Sequence, residues 1–385
     1  MRFLIITGEA SGELHGAGVV RALKRRDPFC EIIGIGGDRM REAGCELIYA
    51  IEQFAFMGLV EVIRHLPFIR SALRRLERLL QERRPDVLIL VDYPDFNLRL
   101  ARIAKRYTIP ILFYISPQVW AWRAGRIPTI AKLVDRLAVV FPFEVELYER
   151  AGAPVTFVGH PLLEVLRTSC DRAEFCQRAG LDASRPIIGL LPGSRWQEVS
   201  HLAPALIATV DRVRETLPAV QGVIGLAPTI RREALTTLIG ERGDLPMVED
   251  LTYDVMAHAD LLIVASGTAT LESASFGTPL FVVYRMARLS WWIAQRVVKI
   301  PNIGLVNVVA GRRIAPEFLQ DAVTPDVLAP AALALLNDPV RLAQMRTELL
   351  TVRERLGTPG ASDRVAEMAI ELAASSQQRQ LPPRQ

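Results

Sequence analysis

Short apolar runs, each followed by a helical pattern, leave this chain few folds to choose from. They fall at 2–7, 31–35, 86–91, 110–115, 136–141 and 155–158, then at 187–191, 220–226, 260–265 and 279–284. The runs are near-continuously apolar, as parallel strands covered on both faces are. Strands separated by helices imply βαβ units and doubly wound parallel sheets, an α/β class. At 385 residues the chain is longer than a single core, which rarely grows past ~250–300 residues, so two domains are expected. The break should fall at 160–185. Gly159-His160-Pro161 closes the first rhythm there, and Asp182-Ala183-Ser184-Arg185-Pro186 turns into the second.

Two of the runs open into small-residue turns that lead into helices. The first turn reads Gly8-Glu9-Ala10-Ser11-Gly12-Glu13-Leu14-His15-Gly16, the second Pro192-Gly193-Ser194-Arg195. A strand, a tight turn and a helix N-terminus together aim backbone N–H groups at an anion. Glycines at 8, 12 and 16 do not spell the GxGxxG of dinucleotide folds. The chain also lacks GxxxxGK[ST], HExxH and GxSxG, which argues against P-loop, zinc-hydrolase and serine-hydrolase chemistry.

Ligands of open α/β sheets sit beyond the carboxyl ends of the strands. The residues there are Asp92-Tyr93-Pro94-Asp95-Phe96-Asn97, Ser116-Pro117-Gln118-Val119-Trp120-Ala121-Trp122 and Ser266-Gly267-Thr268-Ala269-Thr270-Leu271-Glu272. Asp92 is a general-base candidate. One of Asp92 and Asp95 would otherwise cap the next helix, and Asp95 suits that role better. Ser266, Gly267 and Thr268 offer a diphosphate the N–H groups of a helix start, or form an ordinary cap. Glu272, one turn on, could reach ribose hydroxyls. Arg195 could neutralise a leaving diphosphate or form a surface ion pair. His15 and His160 lie at strand ends, where a structural role is the commoner one.

Half the residues are hydrophobic, 23% are charged and the formal net charge is +4, so composition alone names no partner and gives no reason to expect nucleic acid. Cys30, Cys45, Cys170 and Cys176 lack metal-ligand spacing and read as reduced thiols; no metal or cofactor is expected. The chain runs directly into a strand pattern without a signal peptide's basic and apolar regions, and no apolar run reaches the ~18 residues of a membrane span. A cytoplasmic, non-integral protein is expected.

One surface points to a membrane all the same. Phe54, Phe56, Met57 and Leu59 form an apolar run. Phe68 follows, then a helix with Ile69, Leu73, Leu76 and Leu80 on one face and Arg70, Arg74, Arg75 and Arg78 on the other. A basic amphipathic helix beside an apolar loop suits an anionic bilayer; a crossover helix with a solvated basic face is the alternative. Trp291 and Trp292, flanked by cations, form a second interfacial candidate.

In this order, the motifs resemble one family closely. They are Gly8-Glu9-Ala10-Ser11-Gly12, Met57-Gly58-Leu59-Val60-Glu61-Val62, Asp92-Tyr93-Pro94-Asp95-Phe96-Asn97, Ser116-Pro117-Gln118-Val119-Trp120-Ala121-Trp122, Phe141-Pro142-Phe143-Glu144 and Val158-Gly159-His160-Pro161. Leu191-Pro192-Gly193-Ser194-Arg195, Ala265-Ser266-Gly267-Thr268-Ala269, Tyr284-Arg285-Met286 and Asn307-Val308-Val309-Ala310-Gly311-Arg312 complete them. The chain is similar, end to end, to the lipid-A-disaccharide synthases of Gram-negative bacteria. Glu13 stands where the family often has Asp.

The resemblance implies a GT-B architecture: two Rossmann-like doubly wound domains with an interdomain cleft. Residues 1–165 would bind acceptor and lipid, 166–350 would bind UDP-sugar, 351–376 would form a helical segment able to pack back on the first domain, and 377–385 would be a disordered tail. The implied reaction transfers 2,3-diacylglucosamine from UDP-2,3-diacylglucosamine to lipid X, releasing UDP with inversion and without a metal. Asp92 would be the base. Gly193, Ser194, Arg195, Ser266, Gly267, Thr268, Glu272 and Asn307 would face the UDP-sugar. Glu9, Ser11, Gly12, His15, Asp95 and Trp120 would line the acceptor side. Phe54, Phe56, Met57, Leu59, Phe68, Arg70 and Arg74 would face lipid, peripherally, on the cytoplasmic side of the inner membrane. The alternatives are a UDP-N-acetylglucosamine 2-epimerase-like enzyme and a non-catalytic lipid-binding protein.

Overall fold

Ile, Leu, Val and Phe fill the inner strands, and their side chains are fully buried along β1 (Arg2–Ile6) from Phe3 onward and along β4 (Val87–Val91). The computed structural model describes residues 1–54, 65–122, 124–240, 245–287, 291–292, 296 and 301–380, without the side chains of Ala10, Trp122 and 377–380. The chain divides into two compact units, Met1–Glu164 with Gly357–Gln385, and Val165–Leu356.

The first unit is built on a parallel seven-stranded sheet in the order β3-β2-β1-β4-β5-β6-β7. The remaining strands are β2 (Glu31–Gly36), β3 (Glu46–Ala50), β5 (Ile111–Tyr114), β6 (Arg136–Val139) and β7 (Val155–Phe157). The chain winds outward from β1 to β3, then restarts at β4 on the other side of β1. The carboxyl ends of β1 and β4 therefore flank the point where the winding reverses, which is where such sheets bind ligands.

The second unit repeats the plan with six parallel strands in the order β10-β9-β8-β11-β12-β13. They are β8 (Ile187–Leu191), β9 (Gln221–Gly225), β10 (Met247–Val248), β11 (Leu261–Ala265), β12 (Leu280–Tyr284) and β13 (Glu317–Leu319). Its winding reverses between β8 and β11.

The closing helix, Ala361–Gln380, packs on the helix Ala10–Arg26 of the first unit. Asp363 pairs with Arg25 at 2.8 Å and Arg26 at 3.1 Å, and Glu164 accepts from the backbone N–H and hydroxyl of Ser362. The two helices approach closely at Gly18, where a Cβ would lie 2.4 Å from Ser362 Oγ. The helix continues through residues 377–380, where the sequence suggested a disordered tail; residues 381–385 lie outside the described residues.

The helix Leu66–Arg83 settles which of its faces is covered. Ile69, Ala72, Leu76 and Leu80 are buried, whereas Arg70, Arg74, Arg75 and Arg78 are exposed. Phe54 corrects the expected lipid surface. The turn Ile51–Phe54 directs its ring inward, where it is 2% exposed and meets Tyr49, Phe68 and Phe96 edge-on. Phe68, half-buried, belongs to the same aromatic cluster. An aromatic ring gains more from such a cluster than from water, so these two rings serve the core. Phe56, Met57 and Leu59 lie outside the described residues. Trp292 is exposed, with Arg296 stacked 3.4 Å over its ring. Among the described residues, no helix is long and apolar enough to cross a membrane.

Candidate active site

At the first unit's reversal point, β4 ends in a strained turn. Asp92 and Tyr93 adopt φ of 47° and 48°, and Ile115 at the end of neighbouring β5 adopts 60°. Non-glycine residues there cost roughly 1–3 kcal/mol each, and such strain clusters at functional sites. Side chains hold the turn in place. Asn97, fully buried on the helix Pro94–Arg106, donates from Nδ2 to the Asp92 carbonyl at 2.7 Å and the Val91 carbonyl at 3.3 Å. The Tyr93 ring lies flat over Gly8, where any Cβ would sit 2.0 Å from the ring. Gly8 is therefore needed for packing.

The carboxyl group of Asp92 is pushed up to about 6, chiefly by burial and secondly by the charge of Glu9; the N–H of Tyr93 works against both. A base of that strength is half-ionised at about pH 6 and mostly deprotonated at neutrality, the form general-base catalysis requires. The same two carboxylates place negative charge at this edge, which disfavours a diphosphate there. Ser11 is exposed and Gly12 buried in the 8–16 turn. Glu13 faces away from it and caps the helix Asp38–Glu42, accepting from Arg39 N at 2.9 Å.

Asp95 caps nothing. The helix already starts at Pro94, and the Asp95 carboxylate pairs on the surface with Arg126 at 2.8 Å. His15 and His160 are held neutral. Burial lowers His15 to about 4; burial and then the neighbouring His15 lower His160 to about 3. His160 Nδ1 accepts from Leu162 N at 3.2 Å, which leaves the proton on Nε2. Half-buried Trp120, after β5, donates from Nε1 to Glu144 at 3.1 Å and packs edge-on against Phe143 at 5.0 Å.

In the second unit, the turns after β8 and β11 lie side by side, because the strands are hydrogen-bonded neighbours. Gly193 has φ of 121°, and a Cβ there would lie 2.6 Å from Glu198 Oε2. Ser194 and Arg195 are exposed; Arg195 pairs with Glu198 at 3.4 Å. Gly267 and Thr268 begin the helix Thr268–Ser275, whose free N–H groups face the same edge. Glu272 is half-buried beside the Tyr253 hydroxyl at 3.4 Å, and burial raises its carboxyl group. Arg195 and two helix starts come together on this edge, which suits a diphosphate.

One expected ligand contact is corrected. Asn307 is fully buried with all its amide capacity used: Nδ2 donates to Ala315 O and Glu317 Oε1, both at 2.8 Å, and Oδ1 accepts from Ile314 N and Ala315 N. Glu317 in turn accepts from Ile303 N and Gly304 N, each at 3.0 Å. The Ser266 hydroxyl donates to Ile303 O at 3.1 Å. Asn307 and the Ser266 side chain thus shape the loop 301–304 behind the helix start and leave its N–H groups to a ligand. Asn97, Glu144 and Glu317 went unassigned in the sequence reading. Asn97 and Glu144 lie in the very motifs that carried the resemblance. Among the described residues, no group of His, Cys, Asp and Glu could hold a metal ion.

A family model for lipid-A-disaccharide synthetase matches residues 3–369. The chain belongs to the lipid-A-disaccharide synthetase family. It is 45% identical over 372 residues to the lipid-A-disaccharide synthase of Geobacter sulfurreducens, covering 96% of this chain and 97% of the relative. It is 44% identical over 377 residues to that of Trichlorobacter lovleyi, covering 97% and 98%. Among solved structures, the UDP-GlcNAc 2-epimerase of Neisseria meningitidis bound to UDP-GlcNAc has a TM-score of 0.64 at 13% identity, covering 96% of this chain and 100% of that one. The calicheamicin glycosyltransferase CalG4 has 0.61 at 16%, covering 99% of each. At such identities the likeness speaks for the fold, two parallel-sheet domains of GT-B type. As a member of the lipid-A-disaccharide synthetase family, the chain is a glycosyltransferase of lipid A biosynthesis. The non-catalytic alternative falls with that, and the epimerase alternative shares only the fold.

Proposed function

We propose that the chain transfers 2,3-diacylglucosamine from UDP-2,3-diacylglucosamine to the 6-hydroxyl of lipid X, with Asp92 as the base. Asp92 takes the hydroxyl proton as that oxygen attacks the donor's anomeric carbon from the face opposite the diphosphate. The bond to the diphosphate breaks, and UDP leaves with the electron pair. The N–H groups of Ser194, Gly267 and Thr268, together with Arg195, meet the charge of UDP with dipoles already oriented. Glu272 holds the ribose hydroxyls. Glu9, Ser11, Gly12, His15 and Trp120 line the acceptor side.

The carrying observation is the Asp92 carboxyl group, held in a strained turn at a sheet's reversal point and raised to about 6. Its active form is the deprotonated one, so activity should be lost as the pH falls through that value. The pH profile of kcat/KM for the acceptor tests this. It should fall roughly tenfold per unit below about pH 6 and level off above it. A flat profile between pH 5 and 7 would overturn the assignment.

The acylated substrates call for a membrane surface. The exposed arginines of Leu66–Arg83 supply an electrostatic attachment on the cytoplasmic face of the inner membrane. The adjoining helix Pro94–Arg106 extends it with exposed Arg99, Arg102 and Arg106, the last paired with Glu77.

A further inference from the structure

Glu144 is 0% exposed, on the third residue of the helix Pro142–Glu149. At that position a glutamate often reaches back to the N–H before the helix, and Oε2 does accept from Phe141 N at 3.2 Å. A cap of that kind works equally well in water. Here the carboxyl group is sealed from solvent, and burial pushes it up to about 8. Its other oxygen, Oε1, accepts from Trp120 Nε1 at 3.1 Å. Phe143 meets the Trp120 ring edge-on at 5.0 Å, Phe141 stacks on Phe143 at 5.5 Å, and His160 lies 5.3 Å from Phe141. The indole is therefore held at its N–H edge by an acceptor and at its side by a ring, and it remains half-exposed beyond the end of β5, next to the strand that carries Asp92.

We propose that Glu144 is a positioning residue for acceptor recognition: it joins the Trp120 indole to the Phe141 backbone and so fixes the aromatic plane offered to the acylated acceptor. This rests on the reading of Trp120 as an acceptor contact. The N–H groups of Trp120 and Phe141 converge on two different carboxyl oxygens, with Val140 N–H and the Ser116 hydroxyl also bonded to the group, a demand that glutamine cannot meet. Its single carbonyl oxygen would accept one donor, and its NH2 would face the other. Burying a polar group is worthwhile only when its hydrogen bonds are made, so the geometry must be kept by the acid itself.

The test compares Glu144→Gln, Trp120→Phe, Trp120→Ala and the Glu144→Gln/Trp120→Phe double variant, by steady-state kinetics with both substrates. Glu144→Gln should raise the acceptor KM roughly tenfold, the worth of one buried hydrogen bond, with the donor KM held within about twofold. Trp120→Phe removes the same bond without touching the buried acid and should raise the acceptor KM similarly. The double variant should be no worse than the poorer single one. Additive effects, equal damage to the donor KM, or a wild-type acceptor KM in Glu144→Gln would overturn the proposal. If Glu144→Gln fails to fold, Trp120→Phe alone decides, and an unchanged acceptor KM there counts against it. An unchanged acceptor KM in Trp120→Ala would instead remove Trp120 from the acceptor site, and the proposal with it.

Discussion

Asn97 Nδ2 lies 2.7 Å from the carbonyl oxygen of Asp92, five residues earlier in the chain, and donates to it from a fully buried position. This bond, with a second to Val91 O, ties a left-handed turn to the helix that follows it. The side chain of Asp92 is aimed by its own backbone, so whatever sets that backbone sets the base. Catalytic groups displaced by about 1 Å lose on the order of 10²-fold in rate. Asn97→Ala removes the latch without adding bulk to the buried site. It should lower kcat by one to two orders of magnitude while leaving UDP affinity within about twofold. Steady-state kinetics beside calorimetry measures both, and an unchanged kcat would show that the turn holds itself.

Arg195→Ala should weaken UDP binding roughly tenfold to a hundredfold, since a charge-assisted contact is worth ~1.5–3 kcal/mol. The guanidinium is about half exposed and shared with Glu198, which favours the lower end of that range. Calorimetry with UDP reads the loss directly. Affinity equal to wild type would place Arg195 outside the diphosphate site.

Reversing the charge of Arg70, Arg74 and Arg78 should release the protein from anionic vesicles at low salt. Each arginine near such a surface contributes ~1 kcal/mol. Wild-type binding should itself weaken with salt, as the screening length shortens to about 8 Å at physiological ionic strength. Co-sedimentation of the triple variant at the wild-type level would make this helix face a solvated crossover and nothing more.

The inner strands were legible because burial on both faces leaves an unbroken apolar run. β3, β10 and β13 were not, and all three are sheet edges. An edge strand is covered on fewer sides, and Glu46-Leu47-Ile48-Tyr49-Ala50 and Glu317-Phe318-Leu319 accordingly mix polar with apolar. Asp92 and Arg195 could be picked out because strand ends are where α/β sheets place chemistry. Phe54 could not: a ring that packs inward from a short turn and one that faces lipid look alike in sequence. Asn307 misled for a related reason. Buried polar residues that build a loop recur in motifs as faithfully as those that touch a ligand. Its four hydrogen bonds become visible only once β13 and the loop 301–304 are in place.

The turnover of Asp92→Asn tests the mechanism most directly. Asparagine keeps the shape and removes the base. Above about pH 6 it also removes a carboxylate that the fold raises and so ionises at a cost. That cost is absent below the unfolded value near 4 and grows between the two. The variant should therefore be at least as stable as wild type at neutral pH, and a loss of activity cannot be ascribed to unfolding. Disaccharide formation, measured at matched folded concentration with UDP affinity unchanged, should fall by ~10²–10⁴. Formation within a few-fold of wild type would remove Asp92 as the base.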